Sequence, residues 1–115
     1  MNLIPDDLAK QLVIACPERF RFTASCRFEV RMYAGIDYWE EVSFLRSYSR
    51  EVIGSIACWA WNQLPRGSFV TIRHSGASIT VNGQKGPVEF HQPTFEHVAL
   101  EAFAYVRAKE RKTKP

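Results

Sequence analysis

Between Phe20 and Met32 the chain reads FRFTASCRFEVRM, and apolar and polar residues alternate at every position. Successive side chains of a β-strand point to opposite faces, so this period of two predicts one half-buried strand. Helices must cover its apolar side, and its other side meets solvent or a partner. The small residues Thr23, Ala24 and Ser25 at the centre would permit a bend or a bulge.

The polar side of this predicted strand is rich in arginine, and a later strand would add one more. The arginines of this predicted sheet face are Arg21, Arg27, Arg31 and Arg73. The planar guanidinium group pairs well with carboxylates and phosphates, so we predict that the face binds a partner. Glu29 and Glu89 share the face, and the net charge is only +3, which favours a protein partner over a nucleic-acid backbone.

The composition fits one globular domain that spans residues 1–115. With 46% hydrophobic and 13% aromatic residues, a chain of 115 residues can bury a single core. No apolar run approaches the ~20 residues of a membrane span, and Asp6, Asp7 and Lys10 argue against a signal peptide. We therefore expect a cytoplasmic protein with no membrane partner. Three widely spaced cysteines do not suggest a disulfide framework.

Around the first strand, the pattern predicts three helices and a meander. A short helix begins at Pro5 and stops at Pro17, and a final helix is capped by Thr94. Apolar residues at helical spacing predict a long helix from Tyr38 to about Leu64. A rival interpretation makes residues 38–45 a second strand and starts the helix near position 47 or 49.

Three short strands between Phe69 and Phe90, separated by glycine-containing turns, complete the prediction. The element order is then α-β-α-β-β-β-α. We expect an α+β sandwich of two layers, with about four mostly antiparallel strands and helices on one face. The basic C-terminal tail should fray from about position 108.

The predicted long helix carries more aromatic surface than one buried stripe holds. Trp59 and Trp61 are two residues apart and so point about 200° apart on a helix. Trp39 and Tyr48 add to them. Either this helix is buried on several sides, or it presents an aromatic surface to a protein partner or to a second copy in a homodimer.

No motif in the sequence predicts catalysis or a metal site. His74, His91 and His97 form no HxxxH or HExxH pattern, and no GxSxG elbow or phosphate-binding glycine loop occurs. We therefore predict no catalytic residues, no metal and no cofactor.

The leading hypothesis is a small non-enzymatic binding protein, an inhibitor or adaptor of a protein or nucleoprotein complex. Phage-encoded anti-defence proteins provide a class-level analogy. The alternatives are a nucleic-acid-binding protein that uses the arginine face and, less favoured, a small enzyme.

Overall fold

The computed structural model describes residues 4–33, 35–42, 49–83 and 86–113. They form three helices, α1 (Asp6–Ala15), α2 (Ser49–Asn62) and α3 (Phe95–Thr113). One three-stranded antiparallel sheet consists of β1 (Phe20–Phe22), β2 (Phe28–Arg31) and β3 (Trp39–Glu41). The other consists of β4 (Phe69–Arg73), β5 (Gly76–Gly83) and β6 (Gly86–Gln92). The chain divides into two compact units, Met1–Ile56 and Ala57–Pro115.

The alternating stretch is a hairpin and not the single strand that the sequence predicts. The chain reverses between β1 and β2 in a turn that begins at Thr23. The backbone N–H of Thr23 donates to the Arg27 carbonyl at 2.9 Å, and the Thr23 carbonyl accepts from Cys26 at 2.9 Å. The Thr23 hydroxyl accepts from the Arg27 N–H at 3.1 Å. Cys26 adopts a left-handed backbone with φ 63°, which a tight reversal requires.

Across this hairpin the two faces remain those that the alternation predicts. Phe20 lies opposite Val30 and Phe22 opposite Phe28, so the apolar residues of both strands share one side. The rings of Phe20 and Phe28 stack with centroids 6.0 Å apart, and α1 packs on β1 through its buried apolar stripe. The turn residue Cys26, predicted on the apolar face, is instead exposed.

The long helix predicted from Tyr38 is wrong at its start, and positions 43–48 lie outside the described residues. Residues 39–41 form β3, which pairs with β2 so that Trp39 lies opposite Arg31 and Glu41 opposite Glu29. The helix begins only at Ser49, close to the rival interpretation, and ends at Asn62. The backbone hydrogen bonds of β3 come from β2, about ten residues earlier in the chain. Helical periodicity is a local pattern and does not detect such pairing.

The second unit contains the predicted meander and the predicted final helix. Its middle strand, β5, buries every second residue, namely Ala77, Ile79 and Val81. The helix α3 packs on β5 and β6, and it buries Val98, Ala102 and Phe103 of the predicted apolar face. It also buries Leu100 and Ala104, which the helical spacing does not predict. Two three-stranded sheets thus replace the expected single four-stranded sheet, and α3 continues to Thr113, beyond the predicted fraying point.

A glycine is required where β4 turns into β5. Gly76 has φ 141°, and a Cβ built there would lie 2.5 Å from the carbonyl oxygen of Gln92. We expect Gly76→Ala to lower the free energy of unfolding by more than about 1 kcal/mol, because it combines backbone strain with a clash against backbone atoms.

Gly54→Ala is the matched control for this prediction. Gly54 lies inside α2, and a Cβ there meets nothing within 4 Å. The substitution should therefore raise the free energy of unfolding by about 0.5–1 kcal/mol through helix propensity. Urea denaturation followed by circular dichroism measures both effects. Equal losses from the two variants would contradict the special role of Gly76.

Candidate binding surface on the first sheet

The polar face of the first sheet follows from the strand register. Arg21 on β1 lies opposite Glu29 on β2, which in turn lies opposite Glu41 on β3. Two residues further along the strands, on the same face, Arg31 lies opposite Trp39. Because paired residues share a side of the sheet, these five residues form one surface, and the phenylalanine core occupies the other side.

Trp39 lies across this polar face and contacts an arginine from the far strand. The guanidinium carbon of Arg21 is 4.0 Å from the centroid of the Trp39 ring, and that of Arg31 is 6.0 Å away. Two strand spacings, about 10 Å, separate β1 from β3, so the side chains of Arg21 and Trp39 must reach towards each other over β2. A cation over an indole face is attracted by the ring's negative charge distribution, by about 0.5–1 kcal/mol at an exposed site.

Carboxylates partly balance the arginine charges on this face. The Nε of Arg21 donates to the Oε1 of Glu29 at 2.8 Å, and the Nε of Arg27 lies 3.7 Å from the Oε1 of Glu41. The side chains of Arg21 and Arg27 are 47% and 62% exposed, so each pair contributes at most about 1 kcal/mol to stability. Their main effect is to hold the guanidinium groups in place.

The loop between β2 and β3 is tied to the same face by hydrogen bonds. The Nε of Arg31 donates to the Ile36 carbonyl at 2.7 Å, and the backbone N–H of Tyr38 donates to the same carbonyl at 2.9 Å. The indole Nε1 of Trp39 donates to the Oδ1 of Asp37 at 2.8 Å. A loop held at several points presents its side chains in a defined arrangement.

Three large side chains of this loop are exposed. Tyr33, Ile36 and Tyr38 are 59%, 57% and 49% accessible. We call Arg21, Arg31, Trp39 and the adjoining loop residues Tyr33 and Ile36 the Arg–Trp surface. Tyr38 is not part of it, because its hydroxyl reaches Glu40, which is opposite Val30 and so lies on the other side of the sheet. Tyrosine, tryptophan and arginine are the residue types that most often dominate the binding energy of protein interfaces.

A buried arginine supports this surface from within the unit. The Nε of Arg19 donates to the Arg31 carbonyl at 3.0 Å, and its Nη2 donates to the Met32 carbonyl at 3.2 Å. Desolvation by burial lowers the pKa of Arg19, although an arginine keeps its charge in a protein. This cation therefore fixes the backbone at the point where β2 passes into the exposed loop.

Of the arginines that the sequence predicts on one face, the structure brings Arg21 and Arg31 together against Trp39. Arg27 lies at the end of the hairpin turn, on the same sheet. Arg73 is not on this sheet, because it ends β4 of the second sheet. The prediction of a four-arginine face is wrong in that respect, since the single predicted sheet is two sheets.

The predicted aromatic helix surface is also divided. Trp39 belongs to β3 and not to a helix, and Tyr48 lies outside the described residues. Trp59 and Trp61 do lie on α2, where each is half-buried. The Trp59 ring packs 4.9 Å from Phe103, and the Trp61 ring 6.4 Å from Phe95, both on α3. That these two indoles also contact a partner stays a prediction.

Sequence reasoning missed the exposed loop residues Tyr33, Ile36 and Tyr38 and the buried Arg19 that supports the loop. The signal that could have found the first three is a cluster of large apolar residues around Gly35, a loop-forming glycine with φ 81°. Assigning Tyr38 to a helix hid that cluster. Nothing in the local sequence marks Arg19, because its acceptors lie 12 and 13 residues away along the chain.

Other polar groups in the described parts of the chain offer less. The Ser78 hydroxyl and the Nδ1 of His91 lie 2.9 Å apart on neighbouring strands, in an exposed pair. Cys16 is buried, Cys26 and Cys58 are exposed, and no disulfide joins them. Within residues 4–33, 35–42, 49–83 and 86–113, no group of three or more metal-ligating side chains occurs.

Comparison with known proteins finds no matching family model, no matching curated protein and no matching solved structure. Among the helices of the described ranges, none is long and apolar enough to cross a membrane. The residues of the Arg–Trp surface therefore carry the functional argument alone.

The phenol of Tyr38 provides a test of the geometry at β3, on the side of the sheet opposite to the Arg–Trp surface. Its hydroxyl donates to the Oε1 of Glu40, and this hydrogen bond, with the negative charge of the carboxylate, raises the pKa of Tyr38. A raised pKa means that the bond persists at neutral pH and is lost as pH rises through the pKa of the folded protein. Glu40→Gln should move this pKa back towards the ordinary value for tyrosine.

Ultraviolet difference titration of the phenols measures the change, and Tyr38→Phe identifies the transition by removing it. Glu51→Gln, at an exposed position in the first turn of α2, is the matched control and should leave the tyrosine titration unchanged. An identical titration curve for Glu40→Gln and the unaltered protein would contradict the hydrogen bond.

Proposed function

We propose that this protein is a small non-enzymatic binding protein that acts as a stoichiometric inhibitor or adaptor of a protein or nucleoprotein complex. It contacts its partner through the Arg–Trp surface. The observation that carries the proposal is the placement of Arg21 and Arg31 around Trp39, next to a loop that exposes Tyr33 and Ile36.

The order of this surface before binding supports the proposal. Arg21 is held by Glu29 and the Trp39 ring, and Arg31 by the Ile36 carbonyl. A side chain that is already fixed loses less conformational entropy when a partner covers it, a saving of about 0.5–1.5 kcal/mol for each long side chain. The entropy lost when the arginine side chains are ordered then cancels less of the binding energy that the exposed aromatic rings contribute.

The charge balance of the surface favours a protein over a bare nucleic-acid backbone. Arg21, Arg27 and Arg31 share their face with Glu29 and Glu41, both of which accept or approach a guanidinium group. A phosphodiester backbone would meet these carboxylates as well as the arginines. A protein partner can place carboxylates, backbone carbonyls and aromatic rings selectively against such a mixed surface.

The proposal predicts that two exposed loop residues matter for binding and that an equally exposed residue elsewhere does not. Tyr33→Ala and Ile36→Ala should each weaken partner binding by about tenfold or more, as truncation of an interface anchor does. Ile14→Ala is the matched control, because Ile14 is also an apolar residue, lies on α1 and is 71% exposed.

The measurement is affinity capture from a lysate of the native cells, with each immobilised variant, followed by quantitative mass spectrometry. A specific partner is retained by the unaltered protein and by Ile14→Ala, and is lost with Tyr33→Ala and Ile36→Ala. Retention that is equal across all four proteins would contradict binding through this surface. Thermal melts of the variants establish that each one is folded.

Nucleic-acid binding is the second candidate, because the side chain of Arg27 is 62% exposed and Tyr33 and Tyr38 could stack on bases. In that case nuclease treatment of the lysate abolishes capture. Log affinity for single-stranded RNA should then fall with log salt at a slope of about −0.7 per phosphate contacted. Failure to shift RNA or duplex DNA in a gel at about 50 mM salt would remove this candidate.

A further inference from the structure

The outer edge of the second sheet combines exposed apolar side chains with strand geometry. β4 lies at one edge of the order β4-β5-β6, and its residues Phe69 and Ile72 are 57% and 71% exposed. Ile72 lies opposite Ala77, which is buried on the face that α3 covers. The helix therefore covers that face at β5 and β6 but leaves Ile72 accessible on β4.

Among the strands that the structure describes, β4 has the least protected edge. Proteins usually guard edge strands with proline, charged side chains or short length. β1 and β3 have three residues each, and β6 carries Pro87, which has no N–H to donate, and the exposed Glu89. β4 has five residues. Four of them are aromatic or β-branched, the types that are favoured in strands: Phe69, Val70, Thr71 and Ile72.

We propose that two copies of this chain associate by antiparallel pairing of β4 with β4, which joins their second sheets into one sheet of six strands. A two-fold axis normal to the sheet passes beside Thr71. It pairs Thr71 with Thr71 of the second copy, Val70 with Ile72, and Phe69 with Arg73. Such an interface is isologous, because each copy contributes the same residues.

The strand itself selects this register. A two-fold axis normal to the sheet leaves each side chain on its own face, so paired residues must be an even number of positions apart along the strand. The axis must then pass beside a residue and not between two residues. Centring on Val70 or on Ile72 would pair only three residues of the strand with each other, whereas centring on Thr71 pairs all five. It also brings two exposed side chains into complementary contact, the ring of Phe69 and the cation of Arg73.

Both faces of the new strand pair gain favourable neighbours. Phe69 and Arg73 lie on the side of the sheet away from α3, since Phe69 is opposite Thr80 and Thr80 opposite Glu89. Val70 and Ile72 lie on the side that carries α3, so β-branched side chains meet there. Cross-strand pairs of these types contribute about 0.2–1 kcal/mol each.

The dimer should be weak. A pair of five-residue strands buries much less than the ~1,200–2,000 Å² of a standard protein interface. We therefore expect an association that is populated between about 10 µM and 1 mM protein, and sedimentation velocity over that concentration range measures it.

Substitutions of opposite charge at position 69 test the register. Phe69→Lys places a cation opposite Arg73 of the second copy and should weaken dimerisation by about tenfold or more. Phe69→Glu places a carboxylate opposite the same arginine and should leave dimerisation within about threefold of the unaltered protein, or strengthen it. Both variants change the same exposed side chain, and melts followed by circular dichroism establish that both are folded.

Glu89→Lys is the control at the opposite edge, on β6, and should leave the dimer constant unchanged. A protein that stays monomeric up to about 1 mM overturns the proposal. Equal weakening of the dimer by Phe69→Lys and Phe69→Glu also overturns it. A dimer that Glu89→Lys disrupts, while both Phe69 variants leave it intact, overturns it as well. The expected pattern is a dimer whose strength depends on the sign of the charge at position 69.

Discussion

The turn that begins at Thr23 is the constraint on which the first sheet depends. Five residues, 23–27, separate the end of β1 from the start of β2, and that odd number keeps the alternating pattern in phase across the reversal. A slip of the β1–β2 register by one residue would move every side chain of β2 to the other face of the sheet. Phe28 would then leave the aromatic core, and Arg31 would leave the surface that it shares with Arg21 and Trp39.

The same turn explains why the sequence predicts the faces of this region correctly but not its topology. Alternation depends only on parity, and an odd turn does not interrupt parity, so one strand and a hairpin give the same pattern. The small residues Thr23, Ala24 and Ser25 indicated a bend, but the reversal depends on the left-handed backbone of Cys26. Cysteine is not a residue type that marks such a conformation.

Local signals predicted the elements whose stability is local, and they failed where distant pairing decides. The helix after Pro5, the helix after Thr94 and the strand meander all follow from caps, periodicity and turn residues. The sequence predicts a helix at Trp39 because the residues next to it carry no signal of its pairing with Arg31. The sequence therefore predicts the arginines of the candidate surface, with Arg73 added wrongly, but it does not predict the loop.

The contacts of the three tryptophans give the two units separate optical labels. The emission of an indole depends on the polarity and charge around its ring, and Trp39 has guanidinium groups nearby, whereas Trp59 and Trp61 face phenylalanine rings. Trp39 belongs to the first unit, and the other two belong to the second. The intrinsic fluorescence of this protein therefore contains one component from each half of the chain, so that the cooperativity of its unfolding can be read without any added dye.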